Sequence, residues 1–418
     1  MKRRDFLKTS AGVIFSLSPF ISSCGNFKKK KENPNILYIS MEDLSPLLGC
    51  YGNEVVITPH IDEFATESVL LSDCHCQVAL CTPSRTSILT GIRPSTSGIV
   101  KIDDDWKHML PDAVSMPRHF RDNGYMTYRV GKISDPRCGG SDEAWSISKE
   151  EWGVTDNVLS LQALKMVTSQ EKPFFLAIGY KQVHEPWHPS PQSLDMYNLD
   201  DIELVGRGKT YKGNTLEDKE LRELVRAYYA SITDVDRLIG EILEVARELG
   251  LYENTIILVG AMDHGYSLGE HGRWGKGNNY DTETHVPLLI RLPENQNNGR
   301  VANGITELVD IYPTLIDLCG LARPPQELEG ISMRKLLENP DRIWKKAAFT
   351  HRAYGIHDRG LKTSKYTLIS NENGKIELYD RINDPGNTYD ISDENPEIVG
   401  ELSEILKMGW RKAKPEKI

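Results

Sequence analysis

Residues 81–91 read CTPSRTSILTG, and the stretch places a cysteine two residues before Pro83 and four before Arg85. The pattern suits a helix start, where backbone N–H groups and the guanidinium would both lower a thiol pKa. Four chemistries are open for Cys81: half of a disulfide, a thiol nucleophile, a metal ligand, or the precursor of another group. Glu42, Asp43 and Asp263 offer hard oxygen ligands of the kind calcium or magnesium takes, and His264 adds a nitrogen or a hydrogen bond to a substrate oxygen. Helix capping would also account for Glu42 and Asp43 alone. Lys276 lies in the glycine-rich run GEHGRWGKGNNYD, Lys132 follows a glycine, and His184 lies in YKQVHEPWHPS beside Trp187. Such a set fits an anionic ester: a metal and the lysines would hold non-bridging oxygens and offset charge as the ester bond breaks. His184 or Lys276 could protonate the departing alcohol. Hard-metal ligation suits an oxygen nucleophile better than a thiol, so on these residues the reaction is hydrolysis at a metal with its nucleophile open.

These residues are scattered, and the elements between them must bring them together. Apolar runs at 35–40 (NILYIS), 125–131 (YMTYRVG), 174–180 (FFLAIGY), 255–261 (TIILVGA) and 285–292 (HVPLLIRL) read as buried strands. Helical spacing fills much of the intervals: SMPRHFRDNG, NVLSLQALKMVTSQ, the long segment 219–250, and ITELVDIYPTLIDLCG. Alternation of this kind predicts an α/β fold with a large, mostly parallel sheet flanked by helices. Ligands in such folds bind beyond the carboxyl ends of the strands. Glu42–Asp43, Lys132, His184 and Asp263–His264 all follow strands and are therefore expected at one edge. KYTLIS and KIELYD around NENG predict a hairpin within a small antiparallel subdomain from residue 346 onward.

The chain has 418 residues and is 39% hydrophobic, enough for a large core. A formal net charge of -10 argues against a nucleic-acid partner but leaves local cations free to hold an anionic substrate. The start, MKRRDFLK followed by AGVIFSLSPFI and SSC, predicts a twin-arginine or lipoprotein-type export signal over 1–24, with a lipid anchor on Cys24 and a periplasmic or membrane-anchored location. Residues 25–33 read as a charged tether, 34–345 as the catalytic domain and 346–418 as the subdomain. The seven cysteines have neither zinc-site spacing nor the density of a disulfide scaffold.

The motifs resemble the sulfatases. CTPSRTSILTG resembles the sulfatase signature, PNILYISMEDLSPLLGCYG the first metal segment, and DNGYMTYRVGK a lysine segment. FFLAIGYKQVHEPW resembles the leaving-group histidine segment, AMDHGYSLGEHGRWGKGNNYDTETHVPLLIRLP the second metal segment, and ELYDRINDPGNTYDIS the usual ending. The resemblance covers nearly everything after residue 33. It implies an alkaline-phosphatase-like sandwich and a Cys81 oxidised to formylglycine by a maturation enzyme. One hydroxyl of the hydrated aldehyde then attacks sulfur, and collapse of the sulfated hemiacetal releases sulfate. By matching position it implies metal ligation, usually of calcium, by Glu42, Asp43, Asp263, His264 and residue 81. Arg85 and Lys132 would stabilise the formylglycine, while His184 and Lys276 would bind sulfate and assist the leaving oxygen.

Two positions depart from the family. Glu42 stands where aspartate is usual, and GKISDP puts Ser134 and Asp135 where a histidine normally helps the hemiacetal collapse, making Asp135 its candidate substitute. The segments look most like iduronate-2-sulfatase-type bacterial enzymes, and the Glu-Asp pair also resembles heparan N-sulfatase-like ones; a sulfated glycosaminoglycan is the expected partner. A phosphonate or phosphate monoester hydrolase, and a non-catalytic glycan-binding protein with unmodified Cys81, are the alternatives.

Overall fold

In the computed structural model, described over residues 33–138, 142–204 and 208–415, the apolar runs form the strands of one large sheet. In chain order these are β1 (Asn35–Met41), β2 (Val69–Leu71), β3 (Met126–Gly131), β4 (Ile147–Lys149), β5 (Phe174–Tyr180), β6 (Thr255–Ala261), β7 (Leu288–Arg291) and β8 (Val301–Ala302). Their spatial order is β8-β2-β7-β6-β1-β5-β3-β4. The block β6-β1-β5-β3-β4 is parallel throughout, and β7 runs antiparallel to β6 and β2. β5 and β6 are wholly buried, as strands covered on both faces must be. Removing a side chain such as Ile257, fully buried in β6, would cost about 2–5 kcal/mol.

Register decides where the chemistry goes. Met41 is paired with Tyr180 on one side and Ala261 on the other, so β1, β5 and β6 end in one row. Glu42, Lys181 and Met262 therefore leave the sheet together, with Asp43 and Asp263 one residue further. Gly131 closes β3 opposite Gly179; a Cβ there would sit 2.2 Å from the Gly179 carbonyl oxygen, and its φ is +81°. Only glycine fits that approach.

The helices that matter to the site and its support are α1 (Cys81–Thr90), α2 (Met116–Asp122), α3 (Val158–Thr168), α4 (Asp218–Glu248), α5 (Ile311–Leu318) and α6 (Pro396–Met408). α3 packs against β3, β5 and α4, while α1 packs against α2 and α5. α4 starts with a capping box between Glu217 and Glu220 and buries Leu221, Val225, Tyr228, Ile232, Val235 and Ile239 along one face. No helix among the described residues is long and apolar enough to cross a membrane.

Beyond this body β9 (Ala348–Arg352), β10 (Gly355–Lys362), β11 (Tyr366–Ser370) and β12 (Ile376–Asp380) form an antiparallel meander, including the expected hairpin. Leu361, Leu368 and Leu378 pack there against Leu402 and Leu406 of α6 and against Trp410. Buried ion pairs tie the meander to the main sheet's loops: Arg381 to Asp73 and to Asp281, each at 2.6 Å, and Lys362 to Asp281 at 2.6 Å.

Two expected elements differ. The run 285–292 is not one strand: Pro287 supplies no N–H, and His285–Val286 pairs instead with Cys74–His75. The helix expected from Ile305 starts only at Ile311, because Thr306–Glu307 pairs with the same short strand. The export signal, Cys24 and all but the last residue of the tether lie outside the described residues.

His351 of β9 couples the meander to the main body, its N–H donating to the Gln77 carbonyl at 2.8 Å. Its Nδ1–H donates to the Ile356 carbonyl at 2.9 Å, and burial pushes its pKa down to about 4. The unfolded chain protonates near pH 6.5. Stability from this neutral histidine is therefore complete above that pH and is lost as pH falls towards 4, with a cost on the order of a few kcal/mol. Thermal melting between pH 7.5 and 4.5 should fall more steeply for the native chain than for His351→Gln.

Candidate active site

α1 opens directly at Cys81, with Leu80 in an extended conformation before it and Pro83 in its first turn, where a missing N–H costs little. It ends at Gly91 with φ +71°, and a Cβ there would lie 2.4 Å from Leu328 Cδ2. Every residue of the helix is buried. The thiol at its first position meets groups from two strand ends.

Asp43, Cys81, Asp263 and His264 are all buried, and each offers a ligand atom within 4.8 Å of the other three. Cys81 Sγ is 3.5 Å from His264 Nε2 and 3.5 Å from Lys276 Nζ. Lys276 Nζ donates to both Asp43 carboxylate oxygens, at 2.7 and 2.8 Å. Arg85 Nη2 donates to Asp263 Oδ2 at 2.9 Å and to Glu42 Oε1 at 3.0 Å, and its Nη1 donates to the Lys132 carbonyl at 2.6 Å. Arg85 Nε is buried without a partner among the described residues.

The backbone is fixed around these groups. Asp43 has φ +51°, a costly value for a residue with a side chain. Its N–H donates to Asp263 Oδ1 at 3.1 Å, and its carbonyl accepts from the Tyr228 hydroxyl at 2.8 Å. Ser84 Oγ donates to the Asp263 carbonyl at 2.6 Å, and His264 Nδ1–H donates to the Gly265 carbonyl at 2.9 Å, leaving Nε2 towards Cys81.

The electrostatics follow from burial plus counter-charge. Burial alone would raise the Cys81 thiol, but Lys276, His184 and His264 bring it well below its ordinary value. Burial opposes the His184 imidazolium, yet Asp43 and the Cys81 thiolate raise it to about 9. Its Nδ1–H donates to the Glu185 carbonyl at 2.6 Å, so Nε2 is the nitrogen left for other partners.

The cluster unites most of the residues expected from sequence. Glu42, expected as a fifth ligand, is not in the four-residue group; Arg85 and Lys132, the latter at 3.2 Å, hold its carboxylate instead. Asp135 is buried beside Lys132 at 3.2 Å and accepts from Arg137 Nε at 2.8 Å and Nη2 at 2.7 Å. Against the effect of burial, these cations hold it well below the usual carboxylate range, which makes it a weak proton acceptor near neutral pH. Sequence reasoning missed the Tyr228 clamp, whose tyrosine is indistinguishable by spacing from other core-facing residues of α4. It also passed over Lys181, although the strand-end rule that selected Asp43 applies equally to the residue after β5.

The donor set fits a hard divalent cation, with one exception. The carboxylate oxygens suit such an ion and the imidazole nitrogen is a borderline donor, whereas the Cys81 sulfur is soft. An oxygen-bearing residue at position 81 would complete the set.

Comparison with known proteins agrees with this geometry. A family model described as Sulfatase matches residues 34–321, and one described as N-sulphoglucosamine sulphohydrolase, C-terminal, matches 269–411. The chain is 30% identical over 385 residues to the iduronate 2-sulfatase of Homo sapiens, covering 70% of each chain. It is 26% identical to an N-acetylglucosamine-6-O-sulfatase of Bacteroides thetaiotaomicron, covering 87% of this chain and 84% of that one. The fold matches the solved structure of BT4656 in complex with its substrate, D-glucosamine-2-N,6-O-disulfate, with TM-score 0.76 at 22% identity over 90% of this chain and 97% of that one.

Proposed function

Because the chain belongs to the sulfatase family, we propose that it hydrolyses a sulfate ester of a carbohydrate, specifically a uronate 2-O-sulfate of a glycosaminoglycan. The observation that carries this reading is the convergence of Asp43, Asp263 and His264 on the side chain of residue 81 at the mouth of a helix. The likeness to iduronate 2-sulfatase supports the choice of sugar.

Asp43, Asp263, His264 and residue 81 would hold the cation, calcium by the family resemblance, and it would supply positive charge against the sulfate oxygens. Formylglycine derived from Cys81 would supply the oxygen nucleophile and replace the one soft donor. Around these groups the chain's own residues divide the work. Lys276 lies against Asp43 and Cys81, where its ammonium can hold a sulfate oxygen. Arg85, fixed by Asp263 and Glu42, keeps its unpartnered Nε–H for the nucleophile. His184, whose Nδ1–H is held by the Glu185 carbonyl, presents Nε2 to the site and can give a proton from it to the departing sugar oxygen. Lys132 is aligned by Glu42 and Asp135.

In this reading Asp135 positions Lys132 and is not a base. Asp135→Asn should lower kcat/KM by about 10- to 100-fold, the worth of a charge-assisted hydrogen bond, without removing either limb of the pH–rate profile. A general base at this position would take one limb with it.

The reading is tested by a desulfation screen on defined heparin and chondroitin oligosaccharides, with 4-nitrophenyl sulfate and 4-nitrophenyl phosphate as comparators. Release of the uronate 2-O-sulfate is expected. Phosphate release outrunning every sulfate would favour the phosphate monoester alternative. Residues 1–24 support export of the enzyme to where such glycans are met.

A further inference from the structure

A cavity of about 710 Å³ shares Glu42, Lys132 and His184 with the active-site cluster and continues to Arg137, Trp152 and Lys181. The part lined by these last three residues has a composition of its own. Trp152 is 54% exposed, among the large apolar side chains that the fold leaves open to solvent. The turn that carries it is nevertheless held firmly. Val154 N–H donates to the Gly179 carbonyl at 3.1 Å, and Lys181 N–H donates to the Val154 carbonyl at 3.2 Å, so residues 153–154 extend the sheet beside the end of β5. Glu151 is paired with the buried Arg129 of β3 at 2.6 Å. Trp152 is thus presented to the cavity from a pinned backbone.

Lys181 is laid alongside that backbone. A Cβ on Gly153 would stand 2.8 Å from Lys181 Cβ and 3.3 Å from its Cγ and Cδ, so the lysine stem lies across the glycine that follows Trp152 in the chain. The Lys181 ammonium has no ion-pair partner among the described residues. The acids lining the cavity are already engaged. Glu185 accepts from the hydroxyls of Tyr211 and Tyr266 at 2.9 and 2.8 Å, Asp234 accepts from Ser190 and Ser193 hydroxyls at 2.7 Å, and Glu42 is held by Arg85 and Lys132. A flat exposed indole and an uncompensated cation lining one cavity suit a ring with apolar C–H faces and an anionic substituent.

We propose that Trp152 and Lys181 form a subsite for the sugar adjoining the one that loses sulfate. Trp152 stacks on its ring, and Lys181 pairs with an anionic group on it, a carboxylate or a second sulfate. The substrate is then at least a disaccharide with two anionic groups. The inference rests on the reading of the site as that of a carbohydrate sulfatase.

The test compares 4-methylumbelliferyl sulfate, which has no second sugar, with sulfated uronate-containing disaccharides. One disaccharide is intact, one is carboxyl-reduced, and one lacks its second sulfate. Trp152→Ala and Lys181→Met should each lower kcat/KM on the intact disaccharide about tenfold or more, chiefly through KM, and by at least ten times the factor seen on the aryl sulfate. Trp152→Phe should restore most of the loss. The modified disaccharide whose turnover is insensitive to Lys181→Met identifies the anionic group. Equal losses on disaccharide and aryl sulfate, or none on either, would overturn the subsite.

Calorimetric binding of the intact disaccharide to Cys81→Ala protein, with and without the Trp152 and Lys181 changes, gives a readout independent of turnover. Hydrolysis of the aryl sulfate without binding or turnover of any disaccharide would remove the subsite and leave the sulfatase reading standing. Binding weakened about tenfold by Lys181→Met, in a protein that hydrolyses no sulfate ester, would do the reverse.

Discussion

Cys81→Ala is expected to lower turnover of every sulfate ester by at least about a thousandfold while leaving the fold in place. The side chain lies at the first position of a buried helix whose Ile88 and Leu89 join the main apolar core while Cys81 does not, and alanine is a good helix former. Its removal takes away the reacting group and one of the four converging donors without stranding a counter-charge of the protein. Circular dichroism and a melting temperature close to that of the native chain would establish the fold, and a progress curve on the preferred oligosaccharide would establish the loss. Cys81→Ser bears on the same point. It supplies an oxygen but no thiol, so a serine variant as active as the native enzyme, with its hydroxyl shown intact by mass spectrometry, would remove the need for formylglycine.

Asp263→Ala should be more damaging overall. Asp263 accepts from Arg85 and from the N–H groups of Asp43 and His264, and each of these donors is buried. Removing its carboxylate leaves the buried Arg85 guanidinium with Glu42 as its remaining acid. Breaking a buried pair in this way costs about 3–5 kcal/mol. The same change takes one carboxylate from the proposed cation site and releases the N–H contact that helps hold Asp43 at positive φ. The expected result is a lower denaturation midpoint, loss of stabilisation by added calcium, and no measurable turnover. Asp263→Asn keeps the shape and an acceptor, so it should recover part of the stability but not the calcium response. If both variants bind calcium as the native protein does, Asp263 is not a ligand.

The large sheet was legible because its strands are apolar runs with both faces buried, a pattern that needs no knowledge of partners. The same reading put Asp43 and Asp263 at one edge, and the paired ends of β1, β5 and β6 do bring them together. Elements of two residues were not legible. Cys74–His75, His285–Val286 and Thr306–Glu307 form a sheet too short to leave a periodic signal, and their pairing is decided by tertiary contacts. Side-chain direction was also beyond reach. Glu42 and Asp43 are adjacent, yet Asp43 turns to Lys276 and His264 while Glu42 turns to Arg85 and Lys132. Local sequence is the same for both; the difference comes from the cations that the folded chain places around each. Asp135 shows the same dependence, since only the structure reveals that Lys132 and Arg137 share it.

The central claim is that the working group at position 81 is no longer a thiol. It is tested most directly by tandem mass spectrometry of the peptide containing residue 81, taken from enzyme co-produced with a formylglycine-generating enzyme and assayed on the same preparation. A carbonyl in place of the sulfur is expected, in a fraction that tracks specific activity across preparations. Fully active enzyme in which Cys81 is an intact, alkylatable thiol would contradict it.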